Sequence, residues 1–388
     1  MHAPRLIDRV RRRIGRLLRR GRHDTAGALN RERRLQGRFC GNPFSQLDVY
    51  ENGDLHLCCN AWLPKPIGNL NRDSVEAAWN SPTARRIRES ILDGSFRYCD
   101  HRVCPYIQND SLPTLEEAER DPRFGDVIGR RRTALDELPT FINLCNDASC
   151  NLYCPSCRTE RIHYTEGREF QRRVHLQDRV VQALFSEPTD RRFRVSVTGS
   201  GDPFASKVFR DFLFGLDGRD FPNLEISLQT NGVLLTPRTW QRLHRIRNNI
   251  TDVIVSFDAA TPETYAVTRR GGHWPTLIDN VRALGERRTA GELRYLKLDF
   301  VVQQANYLEM PAFVDLGRSL GADRVGFSLV MNWGTWSAAE FAVRAIWRRD
   351  HPEFDAFLEV LRDARLGEPI VDLGNGSAYR SRALQAAA

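Results

Sequence analysis

Cys150-Asn-Leu-Tyr-Cys154-Pro-Ser-Cys157 puts three thiols on one short segment with the spacing C-x3-C-x2-C. Three thiolates on a tight loop can each take one iron of a [4Fe–4S] cube. The fourth iron then has no ligand from this loop and stays open to a substrate or cofactor. A zinc knuckle is the competing use of the same residues. Structural zinc sites are closed and four-coordinate, and Cys145 offers the fourth thiolate such a site needs. A second group, Cys40, Cys58, Cys99 and Cys104, lies upstream, with Cys59 beside Cys58. The chain has nine cysteines in 388 residues, an odd and clustered set, whereas secreted disulfide scaffolds are small, cysteine-dense and even in count. The thiols therefore read as metal ligands in a reducing compartment.

The elements that must position these loops follow from hydrophobic periodicity. From residue 139 onward, strand patterns at 140–144, 193–197, 224–229, 252–257, 295–302 and 324–330 alternate with helix patterns. The helices are expected over 168–186, 204–214, 237–247, 262–288 and 308–319. Such alternation indicates a parallel sheet, here a partial barrel, with ligands at the carboxyl ends of the strands. Upstream, Leu47–Tyr50 and Leu55–Cys58 flank Glu51-Asn-Gly-Asp54, a hairpin signal, because a tight turn at Asn-Gly needs positive φ. A helix is expected over about 74–93, with Ser74 as its N-cap. The expected organisation is an arm and linker at 1–36, a cysteine unit at 37–110, a linker with one helix at 111–138, the barrel at 139–331, and a helical tail at 332–388 with a helix near 353–365.

The formal charge is +8, but residues 1–36 alone hold twelve arginines and three acids, so the remainder stands at −1. A near-neutral body argues against a nucleic-acid partner. Within residues 4–20, Leu6, Ile7, Val10, Ile14, Leu17 and Leu18 recur at helical spacing among the arginines. That basic amphipathic pattern suits an anionic membrane surface or an acidic partner, a solvated tail being the plain alternative. There is no apolar run long enough for a membrane span, and charge stands where a secretory signal needs an apolar stretch. A cytoplasmic protein is expected, with peripheral contact at the inner membrane surface through the arm.

The three-cysteine loop, placed after the first strand of a β/α series, resembles that of the radical S-adenosylmethionine (SAM) enzymes, and the resemblance extends over residues 139–331. Thr198-Gly-Ser-Gly-Asp-Pro-Phe204 resembles that family's Gly-Gly-Glu-Pro segment, which contacts the SAM amino group. It departs from that pattern at Ser200 and Asp202, and it implies Ser200, Gly201 and Asp202 as SAM contacts. Gln229-Thr-Asn-Gly232 implies Asn231, and Ser256-Phe-Asp258 implies Ser256 and Asp258 toward the ribose. Arg269, after Thr261-Pro-Glu-Thr-Tyr265, would pair with the SAM carboxylate, and Val302–Asn306 would lie near adenine. Ser156 stands where the family often has an aromatic residue, which shifts adenine packing to another side chain such as Tyr153. Trp333 and Trp336 follow the sixth strand, where aromatic side chains can wall a pocket.

Cys40-x12-Gly53-x4-Cys58, with Ile67-Gly-Asn-Leu70, Trp79-Asn-Ser81 and Cys99-x4-Cys104, resembles a SPASM/twitch domain. The resemblance implies one auxiliary [4Fe–4S] cluster on Cys40, Cys58, Cys99 and Cys104, with zinc in the same tetrathiolate as the alternative. In most relatives this unit follows the barrel; here it precedes it. Together the two resemblances imply an α/β fold, a partial (β/α)6 barrel with a small N-terminal α+β iron–sulfur domain. They imply an oxidoreductase or maturase-type enzyme that reductively cleaves SAM, with Cys150, Cys154 and Cys157 holding the catalytic cluster. An external one-electron reductant is required. The substrate would be a peptide, or a sugar, cell-surface glycan or lipid precursor. A non-enzymatic iron–sulfur carrier or redox sensor and a zinc-containing RNA-binding protein are the competing classes.

Overall fold

A computed structural model of the chain describes residues 35–385. The basic pattern at 4–20 lies outside them. The barrel strands fall where the alternation puts them: β4 (Phe141–Cys145), β5 (Phe193–Val197), β6 (Leu224–Thr230), β7 (Ile250–Ser256), β8 (Tyr295–Val302) and β9 (Arg324–Leu329). All are parallel to their neighbours. Along β8, Leu296, Leu298, Phe300 and Val302 are buried, and the residues between them are half-buried. Strands covered on both faces read as unbroken apolar runs; the alternation here leaves one face packed under helices and the other lining a partly open lumen.

Two helices expected as single elements are divided. The 74–93 segment forms α1 (Val75–Trp79) and α2 (Pro82–Leu92), because Ser81 caps a new helix through its hydroxyl and Pro82 sits in the first turn, the one place proline fits. The barrel helices that follow begin with α3 (Gly167–Leu184), α4 (Lys207–Gly215) and α5 (Pro237–Arg242), the last being shorter than its pattern. The 262–288 segment splits into α6 (Pro262–Thr268) and α7 (Trp274–Thr289) at Arg269-Arg-Gly-Gly-His273. Gly271 has φ +84°, a left-handed conformation that a side chain disfavours. α8 (Met310–Ser319) packs Phe313 against Phe257, Phe300 and Phe327 with ring centroids 4.9–6.0 Å apart. Each such fully buried ring contributes roughly 1.5–3 kcal/mol of transfer free energy. α9 (Phe354–Val360) buries Phe354, Phe357 and Leu358 at the barrel's far side.

The N-terminal unit does not stand apart from this sheet. Its hairpin, β1 (Gln46–Tyr50) and β2 (Asp54–His56), is extended by the two-residue β3 (Gly68–Asn69), and β1 pairs in parallel with β4 from Gln46↔Phe141 to Tyr50↔Cys145. With the short β10 (Val371–Asp372) at the opposite edge, the described residues form one ten-stranded sheet of order β10-β9-β8-β7-β6-β5-β4-β1-β2-β3. The 111–138 segment is likewise no free linker. It carries two short helices, Leu115–Glu119 with a capping box and Gly125–Gly129, rather than one. Its backbone is bound into the N-terminal unit: Trp79 Nε1 donates to Glu137 O at 2.9 Å, Asn80 Nδ2 to Leu135 O at 2.7 Å, and Arg88 Nη1 to Thr133 O at 2.9 Å.

A strand edge stripped of its partner presents unpaired N–H and C=O groups. A fragment beginning at residue 139 therefore exposes the β4 edge and is expected to self-associate. Size-exclusion chromatography with light scattering checks this; a soluble, folded monomer would show that β1 is dispensable to the sheet.

Candidate active site

The segment after β4 is held by buried polar side chains. Asp147 Oδ1 accepts from the Ser149 N–H and hydroxyl at 2.9 and 2.8 Å, and its Oδ2 accepts from Ser206 Oγ at 2.6 Å. The loop after β5 lies directly against it. A Cβ on Gly201 would stand 2.6 Å from the carbonyls of Asp147 and Ser149, and one on Gly199 would stand 2.5 Å from Cys145 Sγ. The glycines of this loop thus permit contact with the cysteine segment itself. Approach of two backbones this close excludes a side chain.

Cys150, Cys154 and Cys157 line one small cavity of about 100 Å³ with Thr198, Ser200, Gln229 and Ser256, at the carboxyl ends of β5, β6 and β7. Each sulfur has its own donor. Asn231 Nδ2 lies 3.6 Å from Cys150 Sγ, Arg269 Nη1 lies 3.9 Å from Cys154 Sγ, and Arg158 Nη2 lies 3.3 Å from Cys157 Sγ. Burial pushes the Cys150 thiol up to about 11 and raises that of Cys154 as well. Thiols so disfavoured as anions become ligands when a metal cation supplies the compensating charge. A larger cavity of about 490 Å³ lies between α3 and α4, lined mainly by apolar side chains and without a cysteine.

The other expected contacts divide into two groups. Ser200, Gly201, Asn231, Ser256 and Arg269 line the cavity. Asp202 does not present a free carboxylate: it accepts from the N–H groups of Phe204, Ala205 and Asn231 and from Thr230 Oγ1, all within 2.7–3.1 Å. Four donors use the acceptor capacity of a carboxylate, so Asp202 ties β5 to β6. Asp258 is similarly engaged, with Val301 N–H at 2.7 Å and Arg269 Nη2 at 2.8 Å. Its backbone is held at φ +60° by Asn306 and Thr268, which both donate to its carbonyl. A non-glycine residue fixed there is a strained position of the kind that clusters at functional sites. Arg269 is therefore paired inside the protein, where the sequence suggested a partner on the ligand. Tyr153 lies on the rim against Gly271 and Arg161, outside the cavity lining, and Trp333 is 61% exposed.

Six lining residues are not among the contacts expected from the sequence: Leu152, Arg158, Thr198, Gly199, Gln229 and Thr230. Leu152 and Arg158 flank cysteines, which is the signal that marks them. Gln229 opens the Gln-Thr-Asn-Gly segment and lines the cavity from the next-to-last position of β6.

The upstream cysteines also converge. Cys40, Cys99 and Cys104 lie near one another, and Cys58 lies near Cys40. Burial pushes the Cys40 thiol up to about 12, with Cys104 adding to it. Asn42 Nδ2 donates to Cys58 Sγ at 3.6 Å. Zinc would need its ligands gathered at about 2–2.3 Å around one point. Among the described residues no three His, Cys, Asp or Glu side chains come close enough to share one ion. A four-iron cube takes each thiolate on a different iron and so accepts wider spacing. Both cysteine groups bring together thiols, the donor type that such a cube takes.

Comparison with known proteins follows this layout. A family described as the radical SAM superfamily matches residues 148–298, and one described as an iron–sulfur cluster-binding domain, SPASM, matches residues 40–105. A probable GTP 3′,8-cyclase of Methanococcus maripaludis (strain C7) is 26% identical over 173 residues, which cover 45% of this chain and 53% of that protein. The chain thus spans about half the length of the curated relatives it matches. Among solved structures, Streptococcus suis SuiB bound to the precursor peptide SuiA aligns at 14% identity and TM-score 0.43, over 79% of this chain and 66% of that one. The structure of anSMEcpe with bound AdoMet aligns at 16% identity and TM-score 0.41, over 57% and 58%. The chain thus carries a segment that matches the radical SAM superfamily directly after β4 and a segment that matches SPASM built on the β1–β2 hairpin.

Proposed function

We propose that Cys150, Cys154 and Cys157 hold a [4Fe–4S] cluster whose open iron takes SAM, and that Cys40, Cys58, Cys99 and Cys104 hold one auxiliary [4Fe–4S] cluster. The observation that carries this reading is the convergence of the three loop thiols, each with its own N–H donor, on one cavity at the strand ends. When bound and reduced by an external one-electron donor, the cluster and SAM supply a radical that removes hydrogen from substrate. The chain's own residues hold and orient. Gln229 and Ser256 offer amide and hydroxyl groups to the ligand from β6 and β7. Asn231 Nδ2 joins Cys150 to Asn151 Oδ1, 2.9 Å away, which fixes the first cysteine against β6. Arg269, neutralised by Asp258, orients toward Cys154 without adding net charge.

The substrate enters the lumen beside this cavity. Lys297 and Asp299 form a 2.9 Å ion pair on β8, both partly exposed, and Asp299 lies in register with Ser256. A polar lumen of this kind suits a peptide or a sugar-like substrate, with the auxiliary cluster assisting oxidation. Across β9, Gly326 makes room for the pair: a Cβ there would stand 2.4 Å from Asp299 Oδ1.

Anaerobic reconstitution tests the assignment. The full chain is expected to bind about eight irons and to form 5′-deoxyadenosine from SAM and dithionite. Replacing Cys150, Cys154 and Cys157 together by alanine should leave about four irons and no 5′-deoxyadenosine. A protein that fills with zinc, or that loads iron and binds SAM without ever cleaving it, would return the function to the competing classes. Gly201→Ala should cost about 1–3 kcal/mol through overpacking against two carbonyls, whereas Gly215→Ala, with nothing within 4 Å, serves as the neutral control. Thermal melts of the two variants decide; equal midpoints would mean that the two loops separate freely.

A further inference from the structure

Arg158 is buried, 8% exposed, and is spent wholly on the site. Nη1 donates to Ala148 O at 2.6 Å, and Nη2 donates to Ser200 O at 2.7 Å and to Cys157 Sγ at 3.3 Å. It joins the start of the cysteine segment, its last cysteine and the loop after β5. Its surroundings differ from those of the other buried arginines near this region. Arg173 has Glu169, Glu51 and Asp147, and Arg269 has Asp258. Arg88 also lacks a carboxylate, but it stacks on Trp79 and hydrogen-bonds carbonyls of Pro43 and Thr133, away from any thiol. Among the described residues no carboxylate lies within ion-pair distance of Arg158. Carbonyl oxygens satisfy its N–H groups and leave its charge in place. Buried charges are ordinarily paired, and the groups beside this one that turn anionic on binding a metal are the cysteine sulfurs.

We infer that Arg158 is the built-in counter-charge of the three-cysteine cluster, raising its reduction potential through one positive charge and one N–H···S bond at Cys157. The inference rests on the proposed cluster assignment. Hydrogen bonds to the sulfurs, net charge and solvent exposure set iron–sulfur potentials, and reduction adds negative charge that a buried cation stabilises. The Arg269–Asp258 pair cannot do this, because its two charges cancel. Arg158 is thus a positioning and tuning residue, which acts on the ligands and touches no substrate.

The test is a redox titration of the full-length, anaerobically reconstituted protein at matched iron content, following by electron paramagnetic resonance the signal that changes when SAM is added. Arg158→Met is expected to lower the equilibrium constant for one-electron reduction about tenfold, a shift of about 59 mV to more negative potential. Arg158→Gln should shift it in the same direction, since an amide restores a donor but no charge. Arg158→Lys should keep it nearer the wild-type value. If Arg158→Met loses its iron, the Lys and Gln variants decide: a wild-type-like Lys variant with a displaced Gln variant supports the inference. Wild-type potentials in Met or Gln, or equal shifts in Gln and Lys, overturn it. A wild-type protein with no SAM-responsive signal would instead sink the cluster assignment, so the two failures are told apart.

Discussion

The parallel pairing of β1 with β4 is the constraint on which the rest of the structure depends. It runs for the whole length of both strands and puts Tyr50 opposite Cys145, the residue that ends β4 just before the cysteine loop. β1 carries β2, and β2 leads into Cys58, so the same ladder that completes the sheet also brings the second cysteine group toward the barrel. Position in the sheet, rather than position in the chain, then decides how the two units meet. A free β4 edge needs a partner, and a hairpin that precedes the barrel supplies it through a crossover formed by residues 51–140. That segment is bound back along its course by Trp79, Asn80 and Arg88.

At this seam the concave face is filled. Asp48 accepts from Gln46 Nε2 at 2.7 Å and Tyr50 Oη at 3.2 Å, and Tyr50 Oη accepts from the Asn60 N–H at 2.9 Å. Toward β7, β8 and β9 the same face is more open, with Ser256, Lys297, Asp299 and Ser328 reaching solvent to different degrees. The sheet therefore has a closed side that joins the cysteine groups and an open side suited to a substrate. In both cysteine groups burial opposes ionisation of thiols such as Cys40, Cys58, Cys150 and Cys154, and Asn42 and Asn231 donate to Cys58 and Cys150.

Much of this was legible in the residues. Short apolar strand patterns alternating with helix patterns marked the six barrel strands. C-x3-C-x2-C marked the loop, since thiol ligands on one loop are local in sequence. Helix divisions at Ser81-Pro82 and at Gly271-Gly272 were also written locally, in capping and turn chemistry that a long apolar periodicity masks. Arg158 gave little signal, because an arginine beside a cysteine gains its meaning only from burial and from what lies around it.

The sequence by itself determined the local things: strand and helix periods, turn positions, the spacing of the thiols and the charge of the arm. Tertiary structure alone decided which edge β1 joins and which side chains remain available at the site. Asp202 and Asp258 read as ligands along the chain, yet folding surrounds each carboxylate with donors from β6, β8 and the segment after α6. A side chain's type sets what it can bond, but a carboxylate has few acceptor positions. Residues distant in sequence arrive to fill them, and only the fold shows which groups are left for a ligand.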